Sequence, residues 1–133
     1  MKPDFLIGFF LYLSPMEFVT EIKEGYTQVK VLNTELTETI ALSLKAELVV
    51  LTSTENNNIL LDISECKTCD LAGVNVIATA NRLCKNSNGV FLLAGVNSNI
   101  EELISMSVRA KELNIAYNQK IADQTIKKLI ADK

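Results

Sequence analysis

The spacing of apolar side chains changes period several times along the chain, and each change marks an element. Phe18 to Lys23 alternates, with Phe18, Thr20 and Ile22 on one face and Val19, Glu21 and Lys23 on the other. Tyr26 to Leu32 alternates again, with Thr27, Val29 and Val31 together, and Glu24-Gly25 lies between as a turn. Two period-2 runs joined by a short turn predict an antiparallel hairpin. From Thr37 to about Ser53 the period lengthens, and Ala41, Leu44, Leu48 and Leu51 form the core stripe of a helix. Glu55 to Asn58 is a loop by composition. Ile59 to Ile63, bounded by polar clusters, reads as a central strand covered on both faces.

A second helix is expected to open near Asp70, a residue type suited to capping the free N–H groups of a first turn. Gly73, Val76, Ile77, Ala80, Leu83 and Cys84 make its packing face, and Asn75, Thr79, Arg82 and Asn86 its polar face. Leu71 breaks the polar stripe at the helix tip, four residues before Asn75. Asn86 to Gly89 stops the helix, and Val90 to Ala94 is a further buried strand. Ser98-Asn99-Ile100-Glu101 has the form of a capping box, opening a helix to about Val108 with Ile100, Leu103, Ile104 and Ser107 inward. Asn114 to Tyr117 is a short strand. Gln119 to Ile130 is a last helix, with Ala122, Ile126, Leu129 and Ile130 on one side. The order β-β-α-β-α-β-α-β-α predicts an α/β fold: a mixed sheet with an N-terminal hairpin and about four covering helices.

Composition narrows the function classes. A chain of 133 residues is expected to form one domain, here residues 16–133, with a core that needs no staples. A net charge of −3 with no basic cluster argues against a nucleic-acid partner. The chain has no histidine, so the commonest general base and metal ligand is missing. Residues 1–15 form an apolar extension in which Phe5 to Leu13 carries no charge. Nine residues fall far short of the roughly 20 needed for a membrane span. Asp4 and the lack of a small-x-small cleavage site speak against a signal peptide. The extension is read either as an optional start or as an element that docks on the sheet or on a second subunit, which leaves a homodimer open.

The rival chemical signal is Cys66-Lys67-Thr68-Cys69, a CxxC between a strand and a helix, as in a thiol-disulfide oxidoreductase. Two facts oppose it. The only prolines are Pro3 and Pro15, so no cis-proline can face the pair, and Asp70 beside Cys69 disfavours a thiolate. An odd count of three cysteines does not suggest a secreted disulfide scaffold, and a reducing cytoplasm is the default location. Three cysteines without histidine also fall short of a metal site's four ligands. Glu101 and Glu102 are adjacent on a helix and point apart, so they do not form an acid/base pair. No catalytic residue, metal or cofactor is expected.

The stretch from Ile59 to Ile77 resembles the signature of STAS domains of the anti-sigma factor antagonist type. In that family an apolar strand and short loop lead to Asp-Ser-Ser-Gly-Leu at a helix start, and the second serine is phosphorylated by a partner kinase. Here the run is Asp70-Leu71-Ala72-Gly73-Val74, aligned without a gap. Asp70 and Gly73 match, whereas Leu71 and Ala72 stand where the serines would be. Thr34-Glu35-Leu36-Thr37 lies where the family has a Gly-Glu-Leu-Asp-like turn, with Glu35 and Leu36 matching. The resemblance implies the STAS fold, no enzymatic activity, and binding to an anti-sigma factor or a serine-kinase-like regulator. It implies a partner-binding edge at Asp70, Leu71, Ala72, Gly73, Asn75, Glu35, Leu36 and Thr37. Ala72 has no hydroxyl, so control by phosphate at the family position is not expected, with Ser64 and Thr68 as weaker alternatives. A STAS scaffold subunit outside sigma-factor control is the other binding reading. Asp70 also has a structural reading as a helix cap, Gly73 as a point of close helix approach, and Leu71 as a harmless surface residue.

Overall fold

Alternation along one strand sets the layers of the molecule. In the computed structural model, which describes residues 17–110 and 112–133, Ile59 and Leu61 point into one apolar cluster and Leu60 into another. Phe91 and Leu93 against Leu92 and Ala94 repeat the division. A strand with core on both sides must sit in the middle of a covered sheet. The apolar extension expected at residues 1–15 lies outside the described residues.

 The sheet has five strands in the order β1-β2-β4-β6-β7. β1 (Phe18–Ile22) and β2 (Thr27–Val31) form the antiparallel hairpin, with Gly25 at φ +87° in its turn, a conformation that favours glycine. β2, β4 (Ile59–Asp62), β6 (Phe91–Ala94) and β7 (Ile115–Ala116) run parallel.

Three helices contribute to the larger cluster on one face: α1 (Glu38–Thr52), α2 (Leu71–Asn86) and α3 (Ser98–Ser105). On the other face α4 (Ala122–Ala131) packs Ala122 and Ile126 against Leu60, Leu92, Ala94 and Ala116. The mixed sheet, hairpin and four helices are those the spacing predicts. α1 buries the expected stripe of Ala41, Leu44, Leu48 and Leu51, and also Ile40. It also turns Leu42, Val49 and Val50 outward, so it is apolar on more than its core side.

Several details differ from expectation. Asn97, not Ser98, caps α3: its side-chain oxygen accepts from the Ile100 N–H at 2.9 Å, and Ser98 is the first helical residue. α3 stops at Ser105 rather than near Val108. The Ser105 hydroxyl donates to the Glu102 carbonyl at 2.7 Å, and the Ser107 N–H turns back to Ile104 at 3.0 Å, a tight closing turn. Residues 119–121 form a 3₁₀ turn before α4. Asp62, the one charged residue of the central run, is fully buried within β4, where it accepts from the Ser64 N–H at 2.9 Å. A second, two-stranded parallel sheet has no counterpart in the expected order: β3 (Glu35–Leu36) pairs with β5 (Thr68–Cys69). Two-residue strands have too few positions to show a period.

Candidate functional site

The small sheet and two helix starts meet at one end of the molecule. β3 leads into α1 and β5 into α2, so pairing β3 with β5 brings both helix N-termini together. Asp70 joins them. One carboxylate oxygen accepts from the Gly73 N–H at 2.9 Å, capping α2, and the other accepts from the Glu38 N–H at 3.2 Å, at the start of α1. Each bond satisfies a donor that a helix start leaves free, and the carboxylate lies at the positive end of both helices.

Gly73 explains how the tip closes. A Cβ there would lie 2.2 Å from the Leu36 carbonyl oxygen and 2.5 Å from the Cys69 sulfur. The close approach expected of this glycine is therefore made to β3 and β5. The loop before β5 is fixed by backbone bonds from Lys67 and Thr68 to the Thr34 carbonyl, at 2.7 and 3.3 Å. Asn97 adds bonds from its side-chain amide to the Cys66 and Lys67 carbonyls, at 3.2 and 3.1 Å. Asn97 thus clamps the loop while capping α3. Its signal in the sequence was an asparagine directly before a helical pattern, a residue type at least as good at that position as serine.

The residues singled out in the sequence divide by depth. Leu36 and Gly73 are buried, Ala72, Asn75 and Thr37 are half-buried, and Asp70, Glu35, Ser64 and Thr68 are exposed. Leu71 is 71% exposed, a large apolar side chain standing out at the tip. Beside it runs a groove of about 510 Å³ between α1 and α2, lined in part by Leu42, Lys45, Ala72, Asn75, Val76 and Arg109. Leu42 and Arg109 lie outside the stretches that pointed to this edge.

The thiols at this end are held protonated. Burial pushes Cys66 up to about 12, helped by Cys69, Asp62 and Glu65, and its sulfur donates to the Asn33 carbonyl at 3.3 Å. Burial and then Asp70 raise Cys69 to about 11. Cys84, on the core side of α2, is pushed to about 12 by burial. A redox pair needs the opposite shift. Among the described residues, no three His, Cys, Asp or Glu side chains gather to hold a metal ion, and no helix is long and apolar enough to cross a membrane.

The site is thus a capped helix tip beside a two-stranded flap, on a mixed sheet ordered β1-β2-β4-β6-β7. Residues 22–110 match the family described as Mlab, STAS domain, and the chain belongs to that family. Its fold is similar to that of RsbS from Moorella thermoacetica, at TM-score 0.72 and 20% identity, covering 87% of this chain and 99% of that one. It is also similar to an anti-sigma factor antagonist (STAS) domain protein from Planctomyces limnophilus, at TM-score 0.73 and 12% identity, covering 84% and 99%. An anti-sigma factor antagonist from Mycobacterium paratuberculosis matches at TM-score 0.70 and 14% identity, covering 83% and 92%. At these identities the likeness concerns the fold. No curated protein matches the chain.

Proposed function

We propose that this chain is a non-enzymatic protein-binding module that docks an anti-sigma factor, or a similar serine-kinase-like regulator, on the tip of α2. The observation that carries the proposal is Leu71, 71% exposed on a helix start that Asp70 caps and ties to the start of α1. An exposed leucine on a fixed backbone can bury its side chain in a partner at little cost in chain order. Asp70, Glu35, Thr37, Ala72 and Asn75 form the accessible surround, while Leu36 and Gly73 shape the edge from inside. The protonated thiols favour this reading over a thiol-disulfide oxidoreductase using Cys66 and Cys69.

Binding on this reading is constitutive. Neither Leu71 nor Ala72 has a hydroxyl, so the charge of about −1.5 to −2 that a phosphate would add at the family position cannot be introduced there. The same substitutions favour, as a second reading, a STAS scaffold subunit outside sigma-factor control. A cytoplasmic location fits both. The test is affinity capture from host extract with wild type and Leu71→Asp, followed by identification of the retained proteins. An anti-sigma factor held by wild type and lost from the variant supports the first reading. Another regulatory or structural protein with the same dependence supports the second. Equal capture by both chains refutes an interface at Leu71.

A further inference from the structure

Further along α2, beyond the tip, its polar face meets the segment after α3 in a cleft of about 560 Å³. The volume is in the range of small-molecule sites, roughly 300–1,000 Å³. Among the described residues, three cations, Arg82, Lys85 and Arg109, line it and no carboxylate does, although the chain as a whole carries −3. Among the described residues Arg82 and Arg109 make no ion pair. Lys85 has Glu112 3.8 Å away, in an exposed contact that contributes little.

The floor of the cleft supplies an independent observation. Asn81 is only 6% exposed, and its side chain makes no hydrogen bond among the described residues. Among the described residues, every side-chain nitrogen or oxygen that is fully sealed from solvent does have a partner. The amide of Asn81 therefore keeps its contact with solvent, and the cleft it lines is the opening. A buried amide without a protein partner is costly unless something outside completes its bonds. A helix position packed this deeply would ordinarily hold an apolar residue.

We propose that this cleft binds a small soluble molecule bearing a phosphate group. Guanidinium groups match the oxygens of phosphate with paired, charge-assisted bonds, and three cations suit a dianion better than a monocarboxylate. Arg82 and Arg109 hold the phosphate, Lys85 adds charge, and the Asn81 amide bonds the molecule from the floor. Half-buried Thr79 and exposed Asn86 border the same opening. The cleft adjoins the groove beside Leu71 and shares Asn75, Thr79 and Arg109 with it, but the proposal does not depend on the binding role assigned to Leu71.

The test is a titration of the isotope-labelled full chain with inorganic phosphate and then pyrophosphate, followed by NMR at fixed ionic strength. Acetate serves as the matched anion. Saturable shifts are expected at the Asn81 side-chain amide and at the backbone amides of Arg82, Lys85 and Arg109, stronger with pyrophosphate. Arg109→Ala is expected to weaken the affinity about tenfold, with circular dichroism unchanged because Arg109 is exposed. Asn81→Leu is expected to remove saturation. If that variant does not fold, Arg109→Ala decides the matter alone. Shifts that do not saturate, an equal response to acetate, or an unchanged affinity in Arg109→Ala would overturn the proposal.

Discussion

Asp70 gives its two carboxylate oxygens to two different helices, and the consequence can be measured. Asp70→Ala removes the cap of α2 and the bond to α1 together, and is expected to cost about 1–2 kcal/mol in urea denaturation. Asp70→Asn keeps one acceptor and should lose less than half of that. The cysteines make a second prediction at this scale. Raising a thiol from 9 to about 11 lowers the thiolate fraction at pH 8 roughly 100-fold at Cys69, and the shift at Cys66, to about 12, lowers it further. Alkylation by iodoacetamide at pH 8 should be slower by at least that factor in the native chain than in denaturant. A cysteine that reacts at the unfolded rate in the native chain would reinstate the redox alternative. The linkage follows the same direction: a raised thiol pKa stabilises the fold below the unfolded value and stops doing so as pH rises toward 11–12.

At the scale of elements, periodicity reveals what is long and misses what is short. α1, α2 and the buried strands were legible because a helix or strand repeats its pattern over several positions. The cap at Asp70 was legible from residue type and place, while that of α3 was displaced by one residue because Asn97 and Ser98 are both good caps. The β3–β5 pair was not legible, since its four residues are fixed by partners about 33 positions away. α4 shows how a distant contact secures an element. The Tyr26 hydroxyl donates to Asp123 at 2.5 Å, from the hairpin to the first turn of α4. This bond, with Lys127 adding to it, holds the Asp123 carboxyl below its ordinary value, and burial and then Asp123 push Tyr26 up to about 12. A lowered carboxyl contributes stability above its unfolded value near 4, which is lost as pH falls through the folded one. A raised phenol contributes below about 10, and this is lost as pH rises through about 12. Tyr26→Phe should therefore lower the urea midpoint most between about pH 5 and 9, with the difference from wild type shrinking on both sides. A constant difference from pH 3 to 11 would show that the bond carries none of the effect.

At the scale of the whole molecule, the mixed sheet, its hairpin and its four helices were foreseeable from pattern and resemblance, whereas their division, three on one face and one on the other, was not. Nor was the cleft at Asn81 foreseeable, because an asparagine inside a helical stripe looks the same in sequence whether it stands on the surface or at the floor of a cleft. The two surfaces along α2 also differ in kind: an apolar point at Leu71 and a basic cleft around Arg82 and Arg109. A domain that binds protein at the first has a fixed charge state there, because Asp70 to Val74 contains no hydroxyl. Capture of the partner found with wild type should then be the same with and without Mg-ATP, and intact mass should show no phosphate added to residues 70–74. Ala72→Ser restores a hydroxyl at a half-buried position. With a kinase-type partner present, this variant is expected to gain the mass of one phosphate and, if Leu71 is the docking point, to release the partner when ATP is added, because the new charge stands beside it. If wild type itself releases the partner on addition of ATP, with phosphate found on Ser64 or Thr68, the switch has moved to the neighbouring loop and the constitutive reading fails.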